Sequence, residues 1–490
     1  MNPTASRATT GISGLDDILC GGLIVNRLYL IEGEPGAGKT TLALQFLLEG
    51  LKNGERGLYL TLSETREELI AGAESHGWSL DGIEIVELLA TDLDLISDND
   101  LTMYNPSEVD LGATTRAVLD AVQRTNPSRV VFDSLSEMRL LAQSSLRYRR
   151  QILALKQFFI GRNCTVLLLD DGTSEGPDLQ LQSLAHGVVE LVQLAPDFGP
   201  ERRRLRIVKF RGSAFRGGYH DFVLARGGLT AFPRLVAAEH RQPVPSGQLA
   251  SGVERLDALL GGGPDRGTST LFMGPAGSGK STIAFMYAAA AANRGEHAVV
   301  FAFDESARTL ISRCKNLGIQ IEEGRGPGKI CIHQVDPTEL SPGEFADRLR
   351  EAVEQDNAAV IVIDSLNGYL NAIAQERFLT AHLHELLAYL GHQGVCTIMV
   401  VAQHGVLGAD VEAPVDTSYL ADSVVLFRFF ETAGTVRKAM SVVKKRSGPH
   451  EDTIRELRMS SNGIALSEPL RGFQGVLTGT PVPVSGSMPA

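Results

Sequence analysis

Short runs of β-branched and aliphatic residues recur along the chain, separated by longer stretches with helical spacing. "GLYLTL" (57–62), "VVFD" (130–133) and "TVLLLD" (165–170) predict strands in the first half, and "AVVFAF" (298–303), "AVIVID" (359–364) and "CTIMVVAQ" (396–403) predict them in the second. These runs are continuous rather than alternating, so each strand is expected to be covered on both faces. That is the pattern of a mainly parallel sheet flanked by helices, an α/β fold class.

The pattern occurs twice. "TTGISGLDDILCGGLIVNRLYLIEGEPGAGKTTLALQF" (9–46) stands opposite "LASGVERLDALLGGGPDRGTSTLFMGPAGSGKSTIAFMY" (249–287). Lys39 and Lys280 lie 241 positions apart, and Asp133 and Asp364, which end two of the apolar runs, lie 231 apart. Length alone, at about 150 residues per domain, would suggest about three domains. The internal repeat outranks that prior and predicts two copies of one domain. The expected boundaries are a first domain over 1–236, a Pro- and Gly-containing linker over 237–248, a second domain over 249–470, and a Gly, Ser and Pro-rich flexible tail over 471–490.

Each copy carries G-x-x-x-x-G-K-[ST], Gly33 to Thr40 and Gly274 to Ser281, between an apolar strand and a helix. In that setting the motif predicts a nucleotide-binding P-loop. The backbone of Gly36, Ala37, Gly38, Lys39, Thr40 and Thr41, and of Gly277, Ser278, Gly279, Lys280, Ser281 and Thr282, is expected to cradle phosphates at a helix N-terminus. Lys39 and Lys280 would reach the β- and γ-phosphates, and Thr40 and Ser281 would hold Mg²⁺. Asp133 and Asp364 are candidates for the same ion, with a helix-capping role as the alternative, since Ser-Leu follows each. Glu64 in "TLSET", and Asp304 and Glu305 in "FAFDES", are candidates for the base that takes a proton from attacking water. ATP with Mg²⁺ is therefore the expected ligand pair.

Composition narrows the class. Apolar content of 43% and charged content of 21% are ordinary for a globular protein, and the net charge of -12 argues against a general polyanion binder. DNA is thus an unlikely partner, although Arg147, Arg149, Arg150 and Arg202 to Arg204 form local basic runs. The five cysteines (Cys20, Cys164, Cys314, Cys331, Cys396) show no C-x-x-C spacing, so a reducing, cytoplasmic setting is expected. Neither a secretory leader nor a membrane span is visible.

With these residues in hand, the chain resembles the KaiC family over nearly its whole length. The most specific stretches are "KFRGSAFRGGYHDF" (209–222), "SYLADSVVLFRFFE" (418–431) and "VVKKRSGPHEDTIRELRMS" (442–460). The resemblance implies two tandem RecA-like P-loop ATPase domains assembled as a homo-hexamer, with ATP held between subunits and a signalling protein as partner. It implies that Lys209 and Arg211, and Lys444 and Arg446, reach ATP bound by the neighbouring subunit. The family's paired acids correspond to Ser63-Glu64 and Asp304-Glu305, so the second site is expected to be the better catalyst and the first more structural. Gln403 is the expected γ-phosphate sensor, with the acid Asp170 in that area of the first copy. The family's adjacent phosphorylation pair corresponds to Ser418 and Tyr419. Ser418 would be the phosphoacceptor of an autokinase, Asp304 its base, and Tyr419 is expected to pack inward. A DNA-dependent ATPase of the RecA-like class and a nucleotide-gated scaffold with little turnover are the alternatives.

Overall fold

The computed structural model describes residues 6–88, 106–142, 144–172, 179–196, 199–336, 338–372, 379–403, 418–432, 434–461, 463–477 and 482–483. The chain divides into two compact units, Met1–Arg234 and Leu235–Ala490. Among the described residues each is built on one nine-stranded sheet. In the first the strand order from one edge is Gly228–Phe232, His220–Ala225, Arg202–Phe210, Gly187–Leu194, Leu28–Gly33, Thr165–Asp170, Arg129–Asp133, Gly57–Thr61 and Ile83–Glu87. In the second it is Gly463–Pro469, Arg455–Ser460, Thr435–Lys445, Ser423–Thr432, Ser269–Gly274, Cys396–Ala402, Ala358–Asp364, His297–Ala302 and Ile330–Gln334. The orders are the same. In both, the last six strands run parallel and the first three form an antiparallel edge.

The predicted strands fall within a residue of the observed ones, because an apolar run covered by helices on both sides has no competing way to hide its side chains. Helix Lys39–Lys52 lies on one face of the first sheet through Leu42, Ala43, Phe46 and Leu47. Helix Leu135–Ala142 and helix Ser145–Phe159 cover the other through Met138, Tyr148, Ile152 and Leu155. In the second unit, helix Lys280–Asn293 is apolar nearly all round and correspondingly buried, with Ile283, Phe285, Tyr287 and Ala288 all inaccessible. Each such side chain contributes about 1.5–3 kcal/mol by leaving water.

The antiparallel edges follow a different rule. "RRRLRIVKF" (202–210) buries Leu205 and Ile207, while Arg203 pairs with Glu201, Arg204 with Asp221 and Arg206 with Glu190. Within the segment expected as linker, Ala237–His240 form a 3-10 turn on helix Leu379–His392, where Glu385 accepts from the Ala237 amide (3.1 Å). In the segment expected as a flexible tail, Phe473–Gln474 pairs with Val482–Pro483, and the Phe473 ring lies 5.9 Å from that of Phe430. Trp78, the one tryptophan of the sequence, packs in the first unit against His76 (4.8 Å) and close to Gly228.

Arg129 is the most heavily polar member of the first core. At 2% exposure it donates to the carbonyls of Thr9 (2.6 Å) and Phe46 (2.7 Å), pairs with Glu55, and lies 4.6 Å from the Phe46 ring centre. A Cβ on Gly50 would come within 2.5 Å of the Arg129 Cδ, so the helix needs a glycine there. The second unit places Ala291 and Val360 at the corresponding positions, a small and an apolar residue where the first has none and a charged one.

Candidate nucleotide sites

Each P-loop leaves the central strand of its sheet and turns into a helix through glycines in left-handed conformations. Gly36 and Gly38 have φ of 82° and 102°, and Gly277 and Gly279 have 77° and 107°. The two cradles therefore have the same backbone shape, and a Cβ on Gly279 would strike Met459 at 2.2 Å. Helix Lys39–Lys52 and helix Lys280–Asn293 begin immediately afterwards, aiming free amides and the positive end of the helix at the loop. Both lysines are buried and fold over their own loops. Lys39 Nζ donates to the carbonyls of Gly33 (2.7 Å) and Glu34 (2.9 Å), and Lys280 Nζ to those of Gly274 (2.8 Å) and Pro275 (2.7 Å). Burial pulls Lys280 down to about 8, against the pull of Asp364 in the other direction. A phosphate beside it would favour the charged form.

The proposed Mg²⁺ ligands meet in pairs, Thr40 with Asp133 and Ser281 with Asp364. Burial pushes Asp364 up to about 6; the Ser281 hydroxyl and Arg313 oppose this, while Asp304 and Glu305 add to it. Asp133 is raised, again first by burial, although the Tyr59 hydroxyl donates to it at 2.5 Å. A buried carboxylate facing a hydroxyl beside an anion cradle fits a cation. Among the described residues no group of three or more acids, histidines or cysteines forms a metal cage. Mg²⁺ takes one or two carboxylates and otherwise relies on phosphates and water.

The candidate base residues differ between the copies. In the second, Glu305 pairs with Arg313 (2.7 Å) and Asp304 accepts from the Ser365 hydroxyl. In the first, Glu64 is raised, by burial and then by the neighbouring Asp133, Glu68 and Asp171. The Arg313 position corresponds to Gly72, so Glu64 lacks an equivalent arginine. The cleft beside the second loop, about 980 Å³, is lined by Lys280, Arg308, Arg313 and Lys438, with no carboxylate among the described residues that line it. The cleft beside the first, about 440 Å³, is lined by Glu64 and Glu68 and by no lysine or arginine among its described residues.

Gln403 is buried, with its amide donating to Gly274 (3.1 Å) and its side chain accepting from Arg428, which also donates to the Leu477 carbonyl (3.1 Å). In the first unit the acid at the loop is Asp171, 2.9 Å from Lys39, whereas Asp170 turns to Arg139 at 3.1 Å. Expectation had named Asp170. Successive side chains at a strand end point to opposite faces, so one step in register exchanges the two.

Lys209 and Arg211 lie beside the start of strand Gly187–Leu194, level with the beginning of Leu28–Gly33. Lys209 Nζ donates to the Gln182 carbonyl (2.6 Å) and Arg211 to that of Ser183 (3.0 Å). Lys444 and Arg446 repeat this, donating to the carbonyls of Ser418 (2.8 Å), Ala421 (2.7 Å) and Tyr419 (2.8 Å). Three strand residues separate the level of each lysine from its own loop and five that of each arginine, which at about 3.3 Å per residue is about 10 and about 16 Å along the sheet, toward the opposite end of the strands. Neither pair can serve the loop of its own unit.

A family model described as "ATPase: KaiC" matches residues 8–236 and again residues 249–471. The chain belongs to the KaiC family of ATPases. Curated relatives include the circadian clock oscillator protein KaiC of Parathermosynechococcus lividus, 26% identical over 490 residues, covering 97% of this chain and 88% of that protein. Circadian clock protein KaiC3 of Synechocystis sp. is 26% identical over 477 residues, covering 96% of this chain and 94% of the relative. The KaiC of Synechococcus elongatus is 26% identical over 494 residues, covering 98% and 92%.

One expectation changes in this KaiC-family chain. Tyr419, expected to pack inward, is 51% exposed, because it sits in the turn before strand Ser423–Thr432 rather than on it. Ser418 lies in the same turn, at the end of the sheet away from Asp304, so the Asp304–Ser418 pairing cannot form within one chain. Arg313, Arg428 and Asp171 were missed by sequence reasoning. For Arg313 a signal existed, since aligning "ETREELIAG" with "ESARTLISR" sets it opposite Gly72.

Proposed function

We propose that the protein is a ring-forming ATPase that turns over Mg-ATP mainly at the second loop, with the first loop serving assembly and nucleotide sensing. The observation that carries this is the pairing of both acids, Asp304 and Glu305, with a cleft lined by four cations, where the first copy has Ser63, Glu64 and an acidic cleft. The Gly277–Thr282 amides and Lys280 hold the phosphates, and Gln403, fixed by Arg428, faces the terminal one. Ser281 and Asp364 would hold Mg²⁺, which would supply neutralising charge to the transferred group. Glu305 takes the proton of the attacking water. Arg313, which already holds Glu305, orients that carboxylate. Lys444 and Arg446 of an adjoining subunit reach the γ-phosphate, which is supported by their placement away from their own loop.

Autophosphorylation at Ser418 follows the same geometry: Ser418 is carried with Lys444 and Arg446 to the neighbour's second loop, where the neighbour's Asp304 would take its proton. A homo-hexamer satisfies these contacts by one repeated head-to-tail interface. Signalling to a protein partner is the reading supported by the clock-protein relatives. The arginines at 203 and 204, being ion-paired to Glu201 and Asp221, favour this over a DNA-dependent ATPase.

The test follows assembly by light scattering and phosphate release on one sample, with and without Mg-ATP. The expected result is a nucleotide-dependent oligomer whose turnover falls at least tenfold in Lys280→Ala and less than threefold in Lys39→Ala. Turnover that survives mainly in Lys280→Ala overturns the assignment. Intact mass should rise by one phosphate per chain, and not in Ser418→Ala.

A further inference from the structure

The first loop carries an acid where a terminal phosphate belongs. Asp171 places Oδ1 2.9 Å from Lys39 Nζ, the atom that in a P-loop bridges β- and γ-phosphates. Its other oxygen accepts from the Ser136 hydroxyl (2.7 Å), and the Asp171 amide meets the same hydroxyl (3.1 Å), so a buried serine fixes the carboxylate in place. In the second unit the register partner of Gly274 is Ala402, which occupies the position equivalent to Asp171 and has no charge to offer Lys280. Asp133 is a second carboxylate near Lys39, and Glu64 lies near both Asp133 and Asp171.

The remainder of the first cradle is intact. Its glycines match those of the second copy in conformation, and the amides that receive a β-phosphate do not involve Asp171. A diphosphate can therefore sit on those amides with Lys39 shared between its terminal oxygens and Asp171. A γ-phosphate would have to enter the space the carboxylate holds, bringing like charges together where little water separates them.

We infer that the first site is selective for a nucleoside diphosphate over a triphosphate, Asp171 acting as a built-in stand-in for the terminal phosphate on Lys39. This rests on the reading of Gly33–Thr40 as a nucleotide loop, and it gives that loop a ligand class of its own. One loop reports the diphosphate while the other consumes the triphosphate.

The test uses the full chain carrying Lys280→Ala, so that binding is read at the first loop, and titrates Mg-ADP and the β,γ-imido analogue of Mg-ATP by calorimetry. The diphosphate is expected to bind at least tenfold tighter. Asp171→Ala in the same background should raise triphosphate affinity at least tenfold and leave diphosphate affinity within threefold. Asp171→Asn, which keeps a hydrogen-bonding group of the same shape for Ser136, should do the same and decides the matter if the Trp78 emission of the alanine variant shows disturbed folding. Equal or tighter triphosphate binding before substitution overturns the inference, as does an unchanged affinity ratio in both variants. Failure of either nucleotide to bind any of the three proteins instead overturns the reading of the loop itself.

Discussion

Glu305→Gln is expected to lower ATP turnover by about two to four orders of magnitude, the usual contribution of a positioned general base. The substitution keeps the size of the side chain and one hydrogen bond to Arg313, now 2.7–2.8 Å from the carboxylate, but removes the lone pair that takes the proton. Nucleotide binding should survive, because the cradle residues from Gly277 to Thr282 are untouched. Asp304→Asn should act more weakly, since the Asp304 carboxylate is engaged by the Ser365 hydroxyl. Glu64→Gln is the control. In the first site the acid is held towards its protonated form by burial and by three neighbouring acids, and its loss should change total turnover by less than twofold. Phosphate release at saturating Mg-ATP decides the question. Equal losses from Glu64→Gln and Glu305→Gln would show that both sites contribute alike.

The largest effect on stability is expected at Arg129. Arg129→Val removes the donor to two buried carbonyls, Thr9 and Phe46, and leaves Glu55 without its partner. Hydrogen bonds from a charged group are worth about 1.5–3 kcal/mol each, so a loss of about 3–5 kcal/mol is expected. For a unit of this size that corresponds to a fall in Tm of about 6–20 °C. Trp78 belongs to the first unit, so its emission follows that unit's unfolding without contribution from the second. Gly50→Ala alone should also destabilise, since its methyl would meet Arg129 at 2.5 Å. The two changes together reproduce the alanine and valine of the second unit, and the double variant should be more stable than the sum of the single losses predicts. Strict additivity would mean that the clash is absorbed elsewhere.

Fold and candidate site are legible in the sequence wherever chemistry and pattern coincide. The P-loops announce themselves because glycines, lysine and hydroxyl must follow one another at fixed spacing, and the six apolar runs because parallel strands must hide both faces. The antiparallel edge was less legible. A strand such as 202–210 has one wet face, and its arginines read as a charge cluster rather than as an edge partly paired to Asp221 and Glu201. Side chains one residue apart at a strand end were beyond reach: Asp170 and Asp171 are the same residue type, and which of them meets Lys39 depends on pleat, not on composition. Tyr419 was misjudged for a similar reason, its apolar neighbours belonging to the strand while it remains in the turn. Arg428 gave no local sign, because its partner Gln403 is brought to it by strand pairing across the sheet.

The placement of the Lys-x-Arg pairs has a genetic consequence. A chain whose Lys280 is lost still presents a sound cationic edge, and a chain whose Lys444 is lost still presents a sound cradle. With each site shared between adjoining subunits as proposed, two alleles, each inactive by itself, would complement one another when expressed together, at about a quarter of randomly formed junctions.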